Sequence, residues 1–243
     1  MKILKGSRIL VVGGSSGMGL ALARHLLDSE MEVIIAGRDK GKLLSATETL
    51  GSSSRLSTFS VDVTREDEVA SLFEKLEPLD HIATTAADIR GAYELLPSLD
   101  MAAAQRAIES KVFGPLLLAK YGAPKLREGG SLTFTSGVAA YRPAARGTVV
   151  ATINAGLEGL VRALAVELAP LRVNAVSPGW VDTPIWEFVA VDRKAETLDA
   201  MAQRLPVGRI GRPQDIADAI AFVMGNGFTT GTVLHVEGGH RLV

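Results

Sequence analysis

Short apolar runs alternate with longer amphipathic stretches along almost the whole chain. Each run is five to seven residues long, and the stretches between them place apolar residues at helical spacing. Strands that alternate with helices in this way predict βαβ units around a parallel sheet. The predicted strands are residues 8–12, 32–36, 57–63, 79–83, 131–135, 172–177 and 232–236, and the predicted helices are residues 17–27, 40–50, 65–76, 98–126, 148–168 and 213–223.

This alternation predicts one domain over residues 1–243. No linker, low-complexity tract or internal repeat interrupts it. We therefore expect an α/β protein made of a single doubly wound Rossmann-type domain, in which a seven-stranded parallel sheet carries helices on both faces. Residues 184–206 are amphipathic, but their pattern is too irregular to assign to one helix.

The composition narrows the classes of function. The chain has 26 basic and 27 acidic side chains, so its net charge is −1 and a general affinity for nucleic acid or anionic membranes is not expected. The absence of cysteine excludes disulfides, and the four histidines show no metal-ligand spacing. No run of about 18 apolar residues is present to span a bilayer. We expect a cytoplasmic protein without a metal, membrane or nucleic-acid partner.

A glycine-rich turn follows the first predicted strand. Residues 12–19 read Val-Gly-Gly-Ser-Ser-Gly-Met-Gly, between a buried strand and an amphipathic helix. Such a turn lets backbone N–H groups approach a pyrophosphate at the N-terminus of the helix. A tight turn without a ligand is the alternative interpretation, but the strand before it and the helix after it favour a nucleotide site.

The spacing of Gly13, Gly17 and Gly19 resembles that of the short-chain dehydrogenase/reductase family. The resemblance implies the fold predicted above and a dinucleotide cofactor at the carboxyl edge of the sheet. Further similar segments are residues 62–63, 172–179, 181–184, 208–213 and 230–239, so the resemblance covers nearly the whole chain. The cofactor-binding residues that it implies are Gly13, Ser15, Ser16, Gly17, Met18, Gly19, Arg38, Asp62, Val63, Ala86, Pro178, Gly179, Val181 and Thr183.

The end of the second predicted strand indicates which cofactor is preferred. An acidic residue in place of Gly37 would accept hydrogen bonds from the adenine ribose and favour NAD, whereas Gly37 leaves that position uncharged. The next residue, Arg38, can reach a 2′-phosphate. We therefore predict NADP(H), and the alternative is that Arg38 is only a solvated surface charge.

The resemblance breaks at the catalytic positions. In that family an Asn, a Ser, a Tyr and a Lys four residues after the Tyr form the active site. The matching positions here hold Lys111, Gly137, Val150 and Asn154. We also expect no other tyrosine to supply a Tyr-x-x-x-Lys pair, so carbonyl reduction by the usual residues is not predicted.

Lys111 and Asn154 look exchanged relative to the family pattern, since the Asn position holds a lysine and the Lys position an asparagine. The two positions lie near each other in the family fold, so Lys111 could replace the missing proton donor, with its pKa lowered by burial. Asn154 could bond the nicotinamide ribose hydroxyls. Ser136 lies one residue from the Ser position, and Tyr141 is an alternative proton donor. The opposing interpretation is that these positions drifted after catalysis was lost.

Residues 184–206 match the substrate lid of the family. Their Trp186, Phe188 and Val189 suggest an apolar cover for a pocket, with ordinary core packing as the alternative. Trp180 either lines the substrate pocket or packs beside it.

The sequence is compatible with three functions. The first is an NADP(H)-dependent oxidoreductase that acts on a small organic carbonyl, alcohol or related substrate through an atypical active site. The others are a non-redox enzyme, such as a cyclase or isomerase, and a non-catalytic NADP(H)-binding protein. The resemblance also implies a homo-oligomer, either a dimer or a two-fold-symmetric tetramer.

Overall fold

All seven strands run parallel in one sheet, as the alternation of apolar runs predicts. A computed structural model describes residues 5–189 and 193–243, apart from the side chains of Phe188 and Val189. The strands are β1 (Arg8–Val12), β2 (Glu32–Gly37), β3 (Leu56–Ser60), β4 (Leu79–Thr84), β5 (Leu126–Thr135), β6 (Arg172–Pro178) and β7 (Val233–Val236). Their order across the sheet is β3-β2-β1-β4-β5-β6-β7, which confirms the predicted fold class.

The order of the strands places a crevice at one edge of the sheet. The chain moves outward from β1 to β3, returns to pair β4 with the other side of β1, and then moves outward again to β7. The loops that follow β1 and β4 therefore diverge at the carboxyl ends of adjacent strands. Doubly wound proteins bind their ligands at such a switch point.

Helices cover both faces of the sheet. One face is covered by α1, α2 and α9, whose apolar residues share a core with β1 and β2. The other face is covered by α3, α5 and α6, and α4 packs beside α6. The helices are α1 (Gly17–Asp28), α2 (Lys40–Leu50), α3 (Glu66–Lys75), α4 (Met101–Ile108), α5 (Gly114–Gly122), α6 (Thr148–Glu167), α7 (Trp186–Val189), α8 (Lys194–Arg204) and α9 (Pro213–Gly225).

The third strand is shorter than predicted. It ends at Ser60 rather than at residue 63. The reason is a local turn, in which the Asp62 side chain accepts hydrogen bonds from the backbone N–H and the hydroxyl of Thr64. A side chain that bonds its own backbone two residues on replaces the ladder of the sheet with a turn.

The region predicted as one helix over residues 98–126 is divided. A π-helical turn, Glu109–Phe113, separates α4 from α5, and β5 already begins at Leu126. Apolar periodicity cannot show a single inserted residue, and turns of this kind occur frequently at functional sites. The extra length of β5 comes with an irregularity in its pairing with β4, where Gly129 has a φ of +78°.

Helix α6 is 20 residues long and largely apolar. Among the described residues it is the helix with the length and mean hydropathy of a membrane span, although Asn154, Glu158 and Arg162 interrupt its apolar residues. Its Leu157, Val161 and Leu164 pack against β5 and β6, and it also buries the charged residue Glu158. These contacts are those of a core helix in an α/β domain.

Candidate active site

The glycine-rich loop is seated tightly on the end of β4. Gly13 has a φ of +84°, and a Cβ atom at this residue would lie 2.7 Å from the backbone nitrogen of Ala86. A side chain on Gly19 would collide with the carbonyl oxygen of Gly13. Ser16 precedes α1 without capping that helix through its side chain, so its hydroxyl is exposed at the helix N-terminus. The loop therefore presents backbone N–H groups and a hydroxyl where an anion would bind.

Two further strand ends extend this surface, that of β3 on one side of β1 and that of β4 on the other. Both hydrogen bonds from Thr64 go to Oδ1 of Asp62, at the end of β3. The neighbouring Val63 is buried against Gly114, where a Cβ atom would lie only 2.9 Å from Val63 Cγ2. The turn after β4 is held by the Ala86 N–H, which donates to the Thr84 hydroxyl. Asp62, Val63 and Ala86 thus lie at the carboxyl edge, where the resemblance implies a dinucleotide cofactor.

The segment after β6 packs against the glycine-rich loop through Thr183. The Gly179 N–H donates to the Val236 carbonyl, and a Cβ atom at Gly179 would lie 2.7 Å from Glu237 Cα. Val181 forms a β-bridge with Gly211. A Cβ atom built on Gly17 would lie 3.5 Å from Thr183 Cβ, so the two segments that resemble family motifs face each other.

Arg38 does not project freely into solvent. Its Nη2 atom donates to Oδ2 of Asp88, a buried residue in the loop after β4, at 2.8 Å. Arg90 donates to both carboxylate oxygens of the same Asp88. Hydrogen bonds from Arg90 and then from Arg38 hold the pKa of the Asp88 carboxyl far below its usual range. The sequence analysis considered Arg38 alone, so its contact with Asp88 and Arg90 is a finding of the structure.

Lys111 points into the protein rather than into solvent. It lies in the π-helical turn, and its Nζ donates to the backbone carbonyl of Ser136 at 3.1 Å. Burial lowers the pKa of this lysine to about 8. Desolvation disfavours the charged form, so the ammonium can release its proton near neutral pH.

Asn154 contacts the same segment as Lys111. It is buried on α6, and its Oδ1 atom has no hydrogen-bond partner among the residues that the structure describes. A Cβ atom on Gly137 would lie 2.7 Å from Asn154 Nδ2, so Asn154 requires a glycine at that position. A buried carbonyl oxygen without a donor fits a ligand hydroxyl. Lys111 and Asn154 thus both contact residues 136–137, and no direct bond joins them in the described structure.

Ser136 and Tyr141 meet at a residue that the sequence analysis missed. The Ser136 hydroxyl donates to Oε1 of Glu158 at 2.7 Å, and the Tyr141 hydroxyl donates to Oε2. Burial, together with the bond to Glu158, raises the pKa of Tyr141 to about 12. The Tyr141 ring also packs edge-on against His235, with centroids 4.6 Å apart. Tyr141 is therefore a weaker proton donor than Lys111, because its proton is held by a carboxylate.

Glu158 could have been found from its place on the helix. It follows Asn154 by four residues, so it shares the buried face of α6 with Leu157 and Val161. A single acidic residue in such a stripe requires buried donors, because an unpaired carboxylate is costly to bury.

Replacing Glu158 with alanine is expected to lower the free energy of unfolding by about 2–4 kcal/mol, because two buried or half-buried hydroxyls lose their acceptor. The control is Glu167→Ala at the exposed end of the same helix, for which we expect a change within about 0.5 kcal/mol. Urea unfolding of both variants provides the comparison. Equal effects of the two substitutions would show that Glu158 is only a tolerated charge.

The residue that the sequence analysis matched to the family tyrosine, Val150, lies in an apolar cluster. Val150 is buried with Ile153 and Ile89, and Ile185 from the segment after β6 packs on this cluster. The rings of Trp180 and Trp186 stack with centroids 4.4 Å apart, and Trp186 Nε1 donates to the Val181 carbonyl. The side chains of the other two residues of the predicted cover, Phe188 and Val189, lie outside the described residues. The described part of this region forms an apolar wall beside Lys111 and Asn154.

The expectation about Tyr-x-x-x-Lys pairs was wrong on one point. Tyr121 and Lys125 have that spacing in the sequence. They do not form a site, because the Tyr121 hydroxyl donates to Glu66 and Lys125 Nζ donates to the Leu76 carbonyl, just before β4 begins. The two side chains thus bond different segments, and Lys125 lies towards the amino edge of the sheet, away from the crevice. Within residues 5–189 and 193–243, no three His, Asp or Glu side chains converge to hold a metal ion.

Comparison with known proteins identifies close relatives over the full length. A family model described as enoyl-(acyl carrier protein) reductase matches residues 12–241. The chain is 35% identical to a short-chain dehydrogenase/reductase of Stachybotrys chlorohalonatus, over 98% of both sequences. It is 34% identical to the short-chain dehydrogenase/reductase malC of Malbranchea aurantiaca, over 99% of this chain and 96% of malC.

Solved structures of a dehydrogenase and a reductase also superpose on this chain over nearly its whole length. A small-chain dehydrogenase crystallised in complex with NADPH superposes with a TM-score of 0.85 at 33% identity, covering 98% of this chain and all of that one. The MalC reductase/Diels-Alderase of Malbranchea aurantiaca superposes with a TM-score of 0.90 at 32% identity, over 99% of this chain and 97% of MalC. Both likenesses extend over the crevice and the segments around it.

Proposed function

This chain belongs to the short-chain dehydrogenase/reductase family, and we propose that it is an NADP(H)-dependent oxidoreductase with an atypical active site. Its substrate would be a small organic carbonyl, alcohol or related compound. The observation that carries the proposal is the unpartnered Oδ1 of buried Asn154, which lies at the nicotinamide end of an otherwise family-like cofactor crevice. The crystallised relative that holds NADPH supports the choice of cofactor.

The residues of the crevice fit NADP(H) along its length. The loop from Gly13 to Gly19 would hold the pyrophosphate, with Ser15, Ser16 and Met18 in that loop, and Asp62 and Val63 would meet the adenine beside Ala86. Arg38 would bind the 2′-phosphate and Asn154 the ribose hydroxyls at the other end. Pro178, Gly179, Val181 and Thr183 would border the nicotinamide. When bound, the cofactor supplies or accepts a hydride.

The remaining chemistry falls to this chain's own residues. In the direction of reduction, a carbonyl carbon gains the hydride and its oxygen needs a proton. Lys111 Nζ would donate that proton and recover it from solvent, because its lowered pKa allows the exchange near neutral pH. The apolar cluster around Val150 and Ile185 would exclude water from the reacting atoms.

The redox step is tested with NADPH that carries deuterium at nicotinamide C4. We expect deuterium to appear in the product of at least one compound in a panel of ketones and aldehydes, with one NADPH consumed per product. Consumption of NADPH without deuterium in the product would contradict hydride transfer to substrate. No consumption with any compound of the panel, despite tight cofactor binding, would favour the non-catalytic interpretation.

A second candidate function is a ring-forming, non-redox reaction. It is favoured by the likeness to MalC, which is described as a reductase and Diels-Alderase, and by the apolar residue at the position of the family tyrosine. An enzyme of this kind mainly needs to hold its substrate in a reactive conformation. It would convert a linear precursor to a cyclic product at equal rates with NADPH and NADP⁺, without consuming either.

A homo-oligomer is also proposed, as is a cytoplasmic location. Met101 and Phe113 on the α4–α5 side and Val166 on α6 expose 72%, 53% and 80% of their surface in the isolated chain. Light scattering is expected to give a multiple of 25.6 kDa. The variant Phe113→Glu should lower that mass, whereas Leu44→Glu on α2 should not change it. A wild-type mass of one chain at micromolar concentration would contradict the proposal.

A further inference from the structure

Two arginines from different strand ends converge on one buried carboxylate. The Asp88 side chain exposes only 5% of its surface, whereas those of Arg38 and Arg90 expose 50% and 55%. Both Nη2 atoms bond the same oxygen, Oδ2, so the two guanidinium groups are adjacent. Three charged groups therefore meet where the sequence analysis assigned a single arginine.

The two arginines are held unequally. The Arg90 side chain binds Asp88 through two hydrogen bonds, from Nε to Oδ1 at 2.8 Å and from Nη2 to Oδ2 at 2.5 Å, and its backbone N–H also donates to Oδ1. Arg38 makes one bond, at 2.8 Å. If Arg38 leaves, the buried carboxylate keeps a forked partner and its charge remains compensated. Loss of Arg90 would leave Arg38 as the sole cation on a buried carboxylate.

The Arg38–Asp88 pair lies next to the proposed cofactor crevice. Arg38 follows β2 and Asp88 lies in the loop after β4, while β1 runs between these two strands. The Arg38 side chain therefore crosses the carboxyl edge beside the glycine-rich loop, along the path that a dinucleotide takes. An anion that binds the Nη2 edge of Arg38 competes with Asp88 for the same N–H groups.

We propose that Asp88 is a specificity-determining residue, which competes with the 2′-phosphate of NADP(H) for Arg38, while Arg90 compensates the charge of Asp88 when Arg38 is released. This inference rests on the proposed function, because it requires NADP(H) to bind in the crevice. The proposal predicts that Asp88 and Arg90 have opposite effects on the affinity for NADPH. Asp88 weakens NADPH binding, and Arg90 strengthens it without contacting the phosphate.

The experiment is a calorimetric titration of NADPH and NADH into the wild-type protein, Asp88→Asn and Arg90→Met. Asp88→Asn is expected to bind NADPH about two- to fivefold more tightly, with a smaller change for NADH, because an ion pair of this exposure is worth up to about that factor. Arg90→Met is expected to bind NADPH about three- to tenfold more weakly, since Asp88 then holds Arg38 alone.

A double substitution separates this exchange from a general change in electrostatic potential. In the Arg38→Ala background, Asp88→Asn should no longer tighten NADPH binding, because the group for which Asp88 competes is absent. An effect of equal size in that background would overturn the proposal. So would an unchanged NADPH affinity in Asp88→Asn with an unaltered melting temperature. If Asp88→Asn does not fold, an unchanged NADPH affinity in Arg90→Met overturns it.

Failure of the proposed function gives a different result. A wild-type protein that binds neither cofactor would overturn both the function and this inference. A wild-type protein that prefers NADPH, with variants that do not change that preference, would overturn the inference alone.

Discussion

Replacing Lys111 with methionine is expected to abolish turnover and, at the same time, to make the folded protein more stable at pH 7. Lys111 is the proposed proton donor, so its loss should lower the rate by about 10²–10⁴-fold, as expected for removal of a general acid. NADPH binding should persist, because Arg38 and the glycine-rich loop are unchanged. An activity loss combined with a stability gain distinguishes a functional residue from a structural one.

The stability gain follows from the direction of the pKa shift. Burial lowers the pKa of Lys111 from 10.5 to about 8, so at pH 7 the folded state carries a charge that it holds less favourably than the unfolded chain does. Removing that charge should raise the free energy of unfolding by about 1–3 kcal/mol. Between pH 8 and 10.5 the unfolded state binds more protons than the folded state. The stability of the wild-type protein should therefore rise with pH over this range, and the difference between the two proteins should shrink.

Urea unfolding at pH 7 and near pH 10 measures this difference, and the rate of reduction measures the role in catalysis. The rate in the wild-type protein should fall as the pH rises through about 8, where Lys111 loses its proton. Lys120→Met, at an exposed lysine of α5, is the matched control and should show neither effect. A Lys111→Met variant that keeps its activity would exclude Lys111 as the proton donor.

The second large effect is expected for Arg38→Ala, which should weaken NADPH binding by about 10–100-fold. The loss of one charge-assisted contact to a phosphate costs about 1.5–3 kcal/mol. NADH lacks the 2′-phosphate, so its affinity should change by less than about threefold, and the preference for NADPH should largely disappear. Calorimetry on the purified protein provides both affinities.

Arg65→Ala is the control for that measurement, because Arg65 is an exposed cation that precedes α3, close to the end of β3. It should leave the preference for NADPH within about twofold of the wild-type value. Equal affinities of the wild-type protein for NADPH and NADH would contradict the assignment of Arg38 to the 2′-phosphate.

The sequence predicted the sheet well, because the strands are nearly continuous apolar runs separated by helical periodicity. The bounds of β1 and α2 agree with the prediction, and those of β4 and β6 differ from it by one residue. The early end of β3 depends on a hydrogen bond from Thr64 to Asp62, and the π-helical turn depends on one inserted residue. Hydrophobic patterns predict neither the end of β3 nor the π-helical turn, because the first depends on a local polar contact and the second on local backbone geometry.

The sequence predicted the site residues that belong to a motif. It missed the contacts that join residues far apart in the chain. The glycine-rich loop and Arg38 follow strands, so their location follows from the fold. The bond between Arg38 and Asp88 joins residues 50 positions apart, and the bond between Tyr141 and Glu158 joins a loop to a helix. Neither pair has a spacing that a sequence can reveal, because side-chain direction decides them.

The central claim is that NADP(H) chemistry takes place in this crevice with Lys111 as the proton donor, and a crystal structure of the NADPH complex tests it most directly. The distances to be measured are those from Lys111 Nζ to nicotinamide C4 and from Asn154 Oδ1 to the nicotinamide ribose hydroxyls. We expect the Asn154 carbonyl oxygen to accept a hydrogen bond from a ribose hydroxyl, and Lys111 Nζ to lie within reach of a substrate atom held over C4. A complex in which Lys111 still bonds only the Ser136 carbonyl, away from a nicotinamide surrounded by apolar side chains, would contradict the claim.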